Sequence, residues 1–395
     1  MASSRSNNNS EIRHARLVSR ANRLFEKLAN EGIDKSRNRK FLYSHYAALI
    51  LLSFFNPAMQ TLRGIQKASE LKSVQKRLQV RRVSQGSLSE SASDFDPDLL
   101  VPLVQEMLSE HQTDGPGPNR NTNGIPPELV KKLVAVDGSA IRSLGSMVQC
   151  KLHLQFQVLN GMPESFTMAD GSHDERDEFT LNLQPQRIYI GDRGYERYAL
   201  YNHIIAAKSD YVIRGQARPA RVVEERSLVQ EDREARVIED AIIKLNIGEN
   251  TAKTAIIDHS VRRITIAKRA SGRQRADRPQ NDDLVILYTS LTDKTIPAHV
   301  IAGIYELRWS IELFFRFLKR MLGLKRLFST HSEANAIHVY CAIIAGLLLS
   351  QLTGGKVTMD DYRFILFYLQ GWADDQELEA YLAKARKRNK PKNTS

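Results

Sequence analysis

The chain has 395 residues, of which 42% are hydrophobic and 26% charged, which excludes a disordered polyelectrolyte and leaves room for a sizeable core. Lys and Arg outnumber Asp and Glu by 57 to 45, a formal net charge of +12, which favours a polyanionic partner, nucleic acid ahead of a membrane surface. Two distant cysteines, Cys150 and Cys341, exclude a disulfide framework, argue against structural zinc and suit a reducing compartment.

The N-terminus, MASSRSNNNS, is polar and lacks the apolar core of a signal peptide. Residues 11 to 75 read as helices with basic surfaces, ending near VQKRLQV. Two apolar runs, HYAALILLSFF (45–55) and IHVYCAIIAGLLLSQL (337–352), fall short of the roughly 20 residues a bilayer span needs. Both are predicted to be buried helices, and no membrane contact is expected. SQGSLSESASDFDPD (84–98) reads as a loop with helix-start chemistry, followed by a helix over DLLVPLVQEML. HQTDGPGPNRNTNGIPP (111–127) is the clearest linker.

Beyond it the pattern turns to strands. KKLVAVDGSAI is a short apolar run, CKLHLQFQVL (150–159) alternates strictly, Asn160–Gly161 signals a hairpin, and ESFTMA can return as a third strand. SHDERDEFTLNL reads as a helix with Ser172 as its cap. RIYIGDRGY starts as a strand and stops at Gly191–Asp192, and SDYVIRG (209–215) is another strand. Residues 219–283 interrupt the alternation with dense charge and β-compatible runs such as TAKTAIID and RRITIAKR, so they read as a β-rich insertion. DLVILYTSL (283–291) resumes the sheet, and one helix is predicted from Pro297 to Leu327. The last forty residues read as one or two helices with a basic tail, KARKRNKPK.

On one continuous helix, at about 100° per residue, Tyr305, Arg308, Glu312 and Lys319 share a stripe about 60° wide. Leu307, Phe314, Leu318 and Met321 fall on the opposite side, a separate core-facing stripe. Periodicity alone leaves a solvated face open. Asp137 and Asp192 each sit in or at the end of an apolar strand, VAVDGS and YIGDRG, where an ionised carboxylate is costly without a compensating cation. A turn at the aspartate, beside a glycine, remains the simpler account of either one alone. Three carboxylates converging from these segments would suit Mg²⁺ or Mn²⁺ rather than zinc. Other motifs are weaker. GGKVT (354–358) lacks the first glycine of a phosphate loop, and His331 and His338 read as capping or core residues.

The spacing Tyr305-x₂-Arg308-x₃-Glu312-x₆-Lys319 resembles the YREK signature of DDE transposases from bacterial cut-and-paste insertion sequences. Asp137 in VDGS and Asp192 in GDRGY match that family's two aspartates, and the resemblance covers about residues 129 to 350. It implies an α/β, RNase H-like mixed sheet with helices in two segments, 129–218 and 284–355. The β-rich insertion (219–283) lies between them, with an N-terminal helical DNA-binding region and linker (1–128) before and a C-terminal helical region (356–395) after. It implies two Mg²⁺ ions, or Mn²⁺, across Asp137, Asp192 and Glu312, and in-line displacement at a DNA phosphodiester. Tyr305, Arg308 and Lys319 would hold DNA phosphates. The implied partners are double-stranded DNA, as element ends and as target, and a second copy in a synaptic dimer. The implied location is the bacterial cytoplasm, at the nucleoid. A catalytically silent DNA-binding descendant and a nuclease without strand transfer are the alternatives. Two departures stand out: Thr289-Ser290-Leu291 replaces the family's frequent Thr-Asn-Leu, and the insertion has no Phe, Tyr or Trp. Tyr288 and Trp309 are the nearest rings that could stack on a flipped base.

Overall fold

The computed structural model describes residues 25, 41–113, 124–143, 149–159, 161–170, 175–245, 256–268, 284–324, 326–327, 329 and 331–390. They fall into two compact units, one of Met1–Pro118, Ala140–Lys151 and Phe314–Ser395, the other of Asn119–Ser139 and Leu152–Leu313. The Ser172 cap, the 114–123 part of the linker and most of the first forty residues lie outside the described residues.

The first unit is built around the helix Ser332–Thr353, whose residues are apolar on every side and buried almost throughout, as a central helix requires. It is long and apolar enough to cross a membrane, but 89% of its apolar window is buried inside the fold. It packs on Tyr43–Phe54, Val101–Thr113 and Asp375–Asn389. The Cys341 thiol donates to the Ala47 carbonyl at 3.7 Å, and the Tyr362 hydroxyl donates to Phe54 O at 2.6 Å. His338 is a core histidine, its pKa pushed down to about 3 by burial. The GGK motif ends this helix: Gly354 is left-handed at φ +68°, and the Ser350 hydroxyl donates to Gly355 O at 2.6 Å. SQGSLSESASD is not a loop. Ser84 caps a helix, Gln85–Asp94, by accepting from Ser87 N at 3.0 Å, and Leu88, Ser91 and Ala92 give it a buried face.

Among the described residues ten strands form one sheet. They are β1 (Leu133–Ser143), β2 (Gln149–Gln157), β3 (Met162–Asp170), β4 (Ile188–Gly191), β5 (Asp210–Gly215), β6 (Ala220–Glu225), β7 (Val237–Leu245), β8 (Val261–Ala267), β9 (Leu284–Thr289) and β10 (Arg326–Leu327). The main path runs β3-β2-β1-β4-β5-β9-β8-β7-β6, with β10 paired to the end of β1. β1–β4 and β4–β5 are parallel, and every pair from β5–β9 outward is antiparallel. The mixed α/β sheet expected from the sequence is therefore present. Leu133 to Val136 are at most 1% exposed, so both faces of β1 are covered, which explains an apolar run in place of alternation. Within 219–283, RRITIA is a strand as predicted, whereas Ile256–Asp258 of TAKTAIID are not; the other strands there are β6 and β7.

The segment from Pro297 is not one helix. It divides into Ala298–Glu306 and Trp309–Arg320, and β10 follows. At the junction Leu307 N donates to Ile304 O, Arg308 N to Tyr305 O, Ser310 N to Leu307 O and Ile311 N to Arg308 O. These three-residue steps tighten the backbone into a turn, and a 100° increment cannot be carried through it.

Candidate active site

Asp137 lies on β1 and Asp192 directly follows β4. The parallel register pairs Leu133 with Ile188, Val134 with Tyr189 and Ala135 with Ile190, and Asp137 and Asp192 each lie two residues past that last pair. Adjacent strands lie about 4.8 Å apart, so the two aspartates emerge side by side at the same end of the sheet. Each carboxylate is oriented by a nearby backbone N–H: Asp137 Oδ1 accepts from Gly138 N, within β1, and Asp192 Oδ1 from Gly194 N, both at 2.8 Å. Asp192 thereby caps the short turn Arg193–Tyr195. Both side chains are partly buried.

Glu312 sits in the first turn of Trp309–Arg320. Its Oε1 accepts from the Arg308 guanidinium at 2.5 Å, and the two side chains are 29% and 15% exposed. Arg308 lies 5.7 Å from the centre of the Tyr305 ring. Burial works against the guanidinium charge, but Tyr305 and Glu312 outweigh it and hold the Arg308 pKa above the ordinary arginine value. The Tyr305 hydroxyl and Arg308 Nε are buried without a hydrogen-bond partner of good geometry. Tyr305 is on the preceding helix, so the single stripe is corrected to a pair, Arg308–Glu312, flanked by Tyr305 across the junction. Lys319 is in the last turn of the same helix as Glu312, on residues assigned to the other unit. Leu307, Leu318 and Met321 are buried as expected, together with Ile311 and Phe315, while Phe314 is only partly covered.

Among the described residues no group of three or more His, Cys, Asp or Glu side chains is gathered so as to hold a metal ion. Asp137 and Asp192 hold equivalent places on adjacent strands, two residues past the last pair of their register, while Glu312 is engaged by Arg308. Of the two candidate stacking rings, Tyr288 is fully buried and donates its hydroxyl to Gln216 O at 2.8 Å, with burial pushing its pKa up to about 12. It offers no face to a base. Trp309 is 48% exposed.

Other polar residues of this unit have defined partners. Glu196 accepts from Gln216 N at 2.9 Å and Arg218 Nε at 3.0 Å, which ties the turn after Asp192 to the end of β5. Ser290, where the family often has Asn, accepts from Tyr211 N at 3.1 Å and donates to Asp210 Oδ1 at 2.7 Å. Arg262, in the run RRITIAKR, is 1% exposed and paired with Asp240. The available signal was its β8 periodicity, which puts it on the face of Ile264.

The sequence model of the family described as Transposase DDE domain matches residues 130–348, more than half of the chain. A protein of Sinorhizobium fredii titled "Putative transposase y4zB" is 29% identical over 227 residues, 56% of this chain and 59% of that protein. The transposase for insertion sequence element IS421 of Escherichia coli is 25% identical over 252 residues, 56% of this chain and 66% of that one. The match thus spans about three fifths to two thirds of these relatives. A piggyBac transposase synaptic complex with hairpin DNA, solved by cryo-EM, aligns with 98% of this chain and 86% of its own at 10% identity. Its TM-score of 0.39 is too low to carry an argument. By the extent of the family match, with Asp137, Asp192 and Glu312 all inside it, the chain belongs to the transposase DDE domain family.

Proposed function

We propose that this protein is a cut-and-paste transposase of a bacterial insertion sequence, of the group with the YREK signature. It cleaves DNA at the element ends and joins the 3′-hydroxyls to target DNA. The observation that carries this reading is the parallel register of β1 and β4, in which Asp137, within β1, and Asp192, just past β4, each lie two residues beyond the pair Ala135–Ile190. The order β3-β2-β1-β4-β5 supports an RNase H-like core. Two partly buried aspartates, each oriented by a backbone N–H, form a hard oxygen donor set that fits Mg²⁺ or Mn²⁺. With Glu312 they would hold the metal, which when bound supplies Lewis-acid stabilisation of the phosphoryl oxygens and a more acidic attacking hydroxyl. Arg308, Lys319 and the Tyr305 hydroxyl position DNA phosphates. The basic N-terminal region holds the element ends, and a synaptic homodimer brings two ends together in the cytoplasm.

The test incubates purified protein with its cognate ends and Mg²⁺ and maps the nicked and joined products. Asp137→Ala, Asp192→Ala and Glu312→Ala should each reduce cleavage at least about a hundredfold. End binding should persist, because affinity comes mainly from phosphate contacts elsewhere. Normal cleavage by any of the three would sink the assignment. Binding without cleavage by the parent would favour the silent DNA-binding alternative, and cleavage without joining the nuclease.

A further inference from the structure

The helix Ala298–Glu306 starts without a side-chain cap of its own, since its N-cap residue is Pro297. An α-helix leaves its first N–H groups unpaired unless an acceptor is brought to them. Here the acceptor comes from 67 residues earlier: Asp232 Oδ1 accepts from His299 N at 2.7 Å and lies 2.8 Å from His299 Nδ1. Asp232 is 3% exposed and is itself held by Val229 N at 3.0 Å.

The loop before this helix is held in the same way. Arg262, on β8, donates through Nε and one terminal nitrogen to both oxygens of Asp240, on β7, at 2.7 and 2.6 Å. Its other terminal nitrogen donates to the carbonyls of Leu291 and Ile296, at 3.2 and 2.8 Å. Arg226, just past β6, donates to Thr292 O at 2.5 Å. Every one of these donors and acceptors outside 291–299 comes from the 219–283 insertion. A guanidinium fork fixed on a carboxylate has no rotational freedom left, so the carbonyls it reaches are held at set positions.

We propose that the insertion is a positioning frame for the helix that carries Glu312. Arg262 and Asp232 are positioning residues. They fix the 291–299 segment, and through Ala298–Glu306 and the tight junction at Leu307–Arg308 they set where Arg308 and Glu312 stand. The proposed catalytic use of Glu312 is the reading on which this role of the insertion rests.

The chain has two tryptophans, and one of them, Trp309, opens the Glu312 helix. In full-length protein carrying Trp372→Phe, Trp309 is the sole tryptophan reporter. Arg262→Lys keeps the charge and loses the fork, and Asp232→Asn keeps the volume and loses the charged acceptor. Each should shift Trp309 emission and increase its quenching by acrylamide. Each should also speed amide exchange across 297–312 about tenfold, as local opening does, with β1 and β4 unchanged. Cleavage should fall through kcat while end binding is retained. Unchanged Trp309 emission and unchanged exchange over 297–312 would overturn the proposal. So would loosening spread evenly over β7, β8 and β9, the result expected of an ordinary core ion pair. Where Arg262→Lys does not fold, Asp232→Asn decides alone by the same readouts. The fluorescence and exchange arms need no cleavage, so a parent that cuts nothing would remove the catalytic reading and leave the frame to be judged separately.

Discussion

Glu312 is bonded to Arg308 in a half-buried pair one helical turn apart, with an aromatic ring behind the guanidinium. Pairs of this kind are worth about 0.5–1.5 kcal/mol. On the proposed reading, a metal ion drawn to Glu312 would compete with Arg308 for its Oε1, and a DNA phosphate engaging the guanidinium would relieve that competition. Arg308→Ala should therefore raise the affinity of DNA-free protein for Mn²⁺ roughly threefold to tenfold, the equilibrium equivalent of that pair energy. Titration calorimetry measures it. Equal or weaker affinity in the variant would mean that Glu312 takes no part in holding metal or that Arg308 does not compete for it.

Between elements, the junction of β5 and β9 is closed by a contact that only glycine permits. Gly215 pairs with Ile286, and the Tyr288 ring lies over it. A Cβ at Gly215 would stand 2.4 Å from Tyr288 Cε2, and Tyr288 has no exposed side toward which to move. Gly215→Ala should destabilise the fold by about 1–3 kcal/mol, the range of overpacking in a well-packed core. Urea unfolding monitored by circular dichroism reads it. A loss below about 0.5 kcal/mol, the scale of a neutral surface change, would show that the ring gives way. The contact also removes Tyr288 from the candidate stacking platforms and leaves Trp309.

For the whole molecule, a net charge of +12 overstates what is gained from any one cation, because several are engaged internally. Arg262 is buried on Asp240, Arg263 is paired with Glu239, and Arg388 with the fully buried Asp361. Binding to double-stranded DNA should weaken steeply with salt, each phosphate contact adding about one to the slope of log affinity against log salt. Lys319→Ala should lower that slope by about one, and Arg262→Lys should leave it unchanged. Anisotropy titrations from about 50 to about 200 mM salt distinguish the two. An unchanged slope for Lys319→Ala would remove that residue from the DNA contacts, and a changed slope for Arg262→Lys would mean that its ion pair opens on DNA.

Local rules carried the reading of the strands and the aspartates. VAVDGS and YIGDRG announce apolar strands that carry carboxylates, and the helix-start chemistry at SQGS acts within a few residues. Those features are legible because strand period, capping and turn preference are short-range. The extent of the family match likewise needed nothing but sequence. Three things did not follow from it. The helix break at Leu307–Arg308 arises where the backbone tightens over residues with no proline or glycine between them to mark it. The pairing of Arg262 with Asp240 and of Asp232 with His299 joins residues 22 and 67 positions apart, which no periodicity connects. The register that gives Asp137 and Asp192 equivalent places is a property of two strands brought together by the fold. Burial decides the second, because a charged group that has lost its water must find a partner wherever the chain has placed one. The residue types of the site could be read from the chain alone; which of them face one another was decided by the tertiary structure.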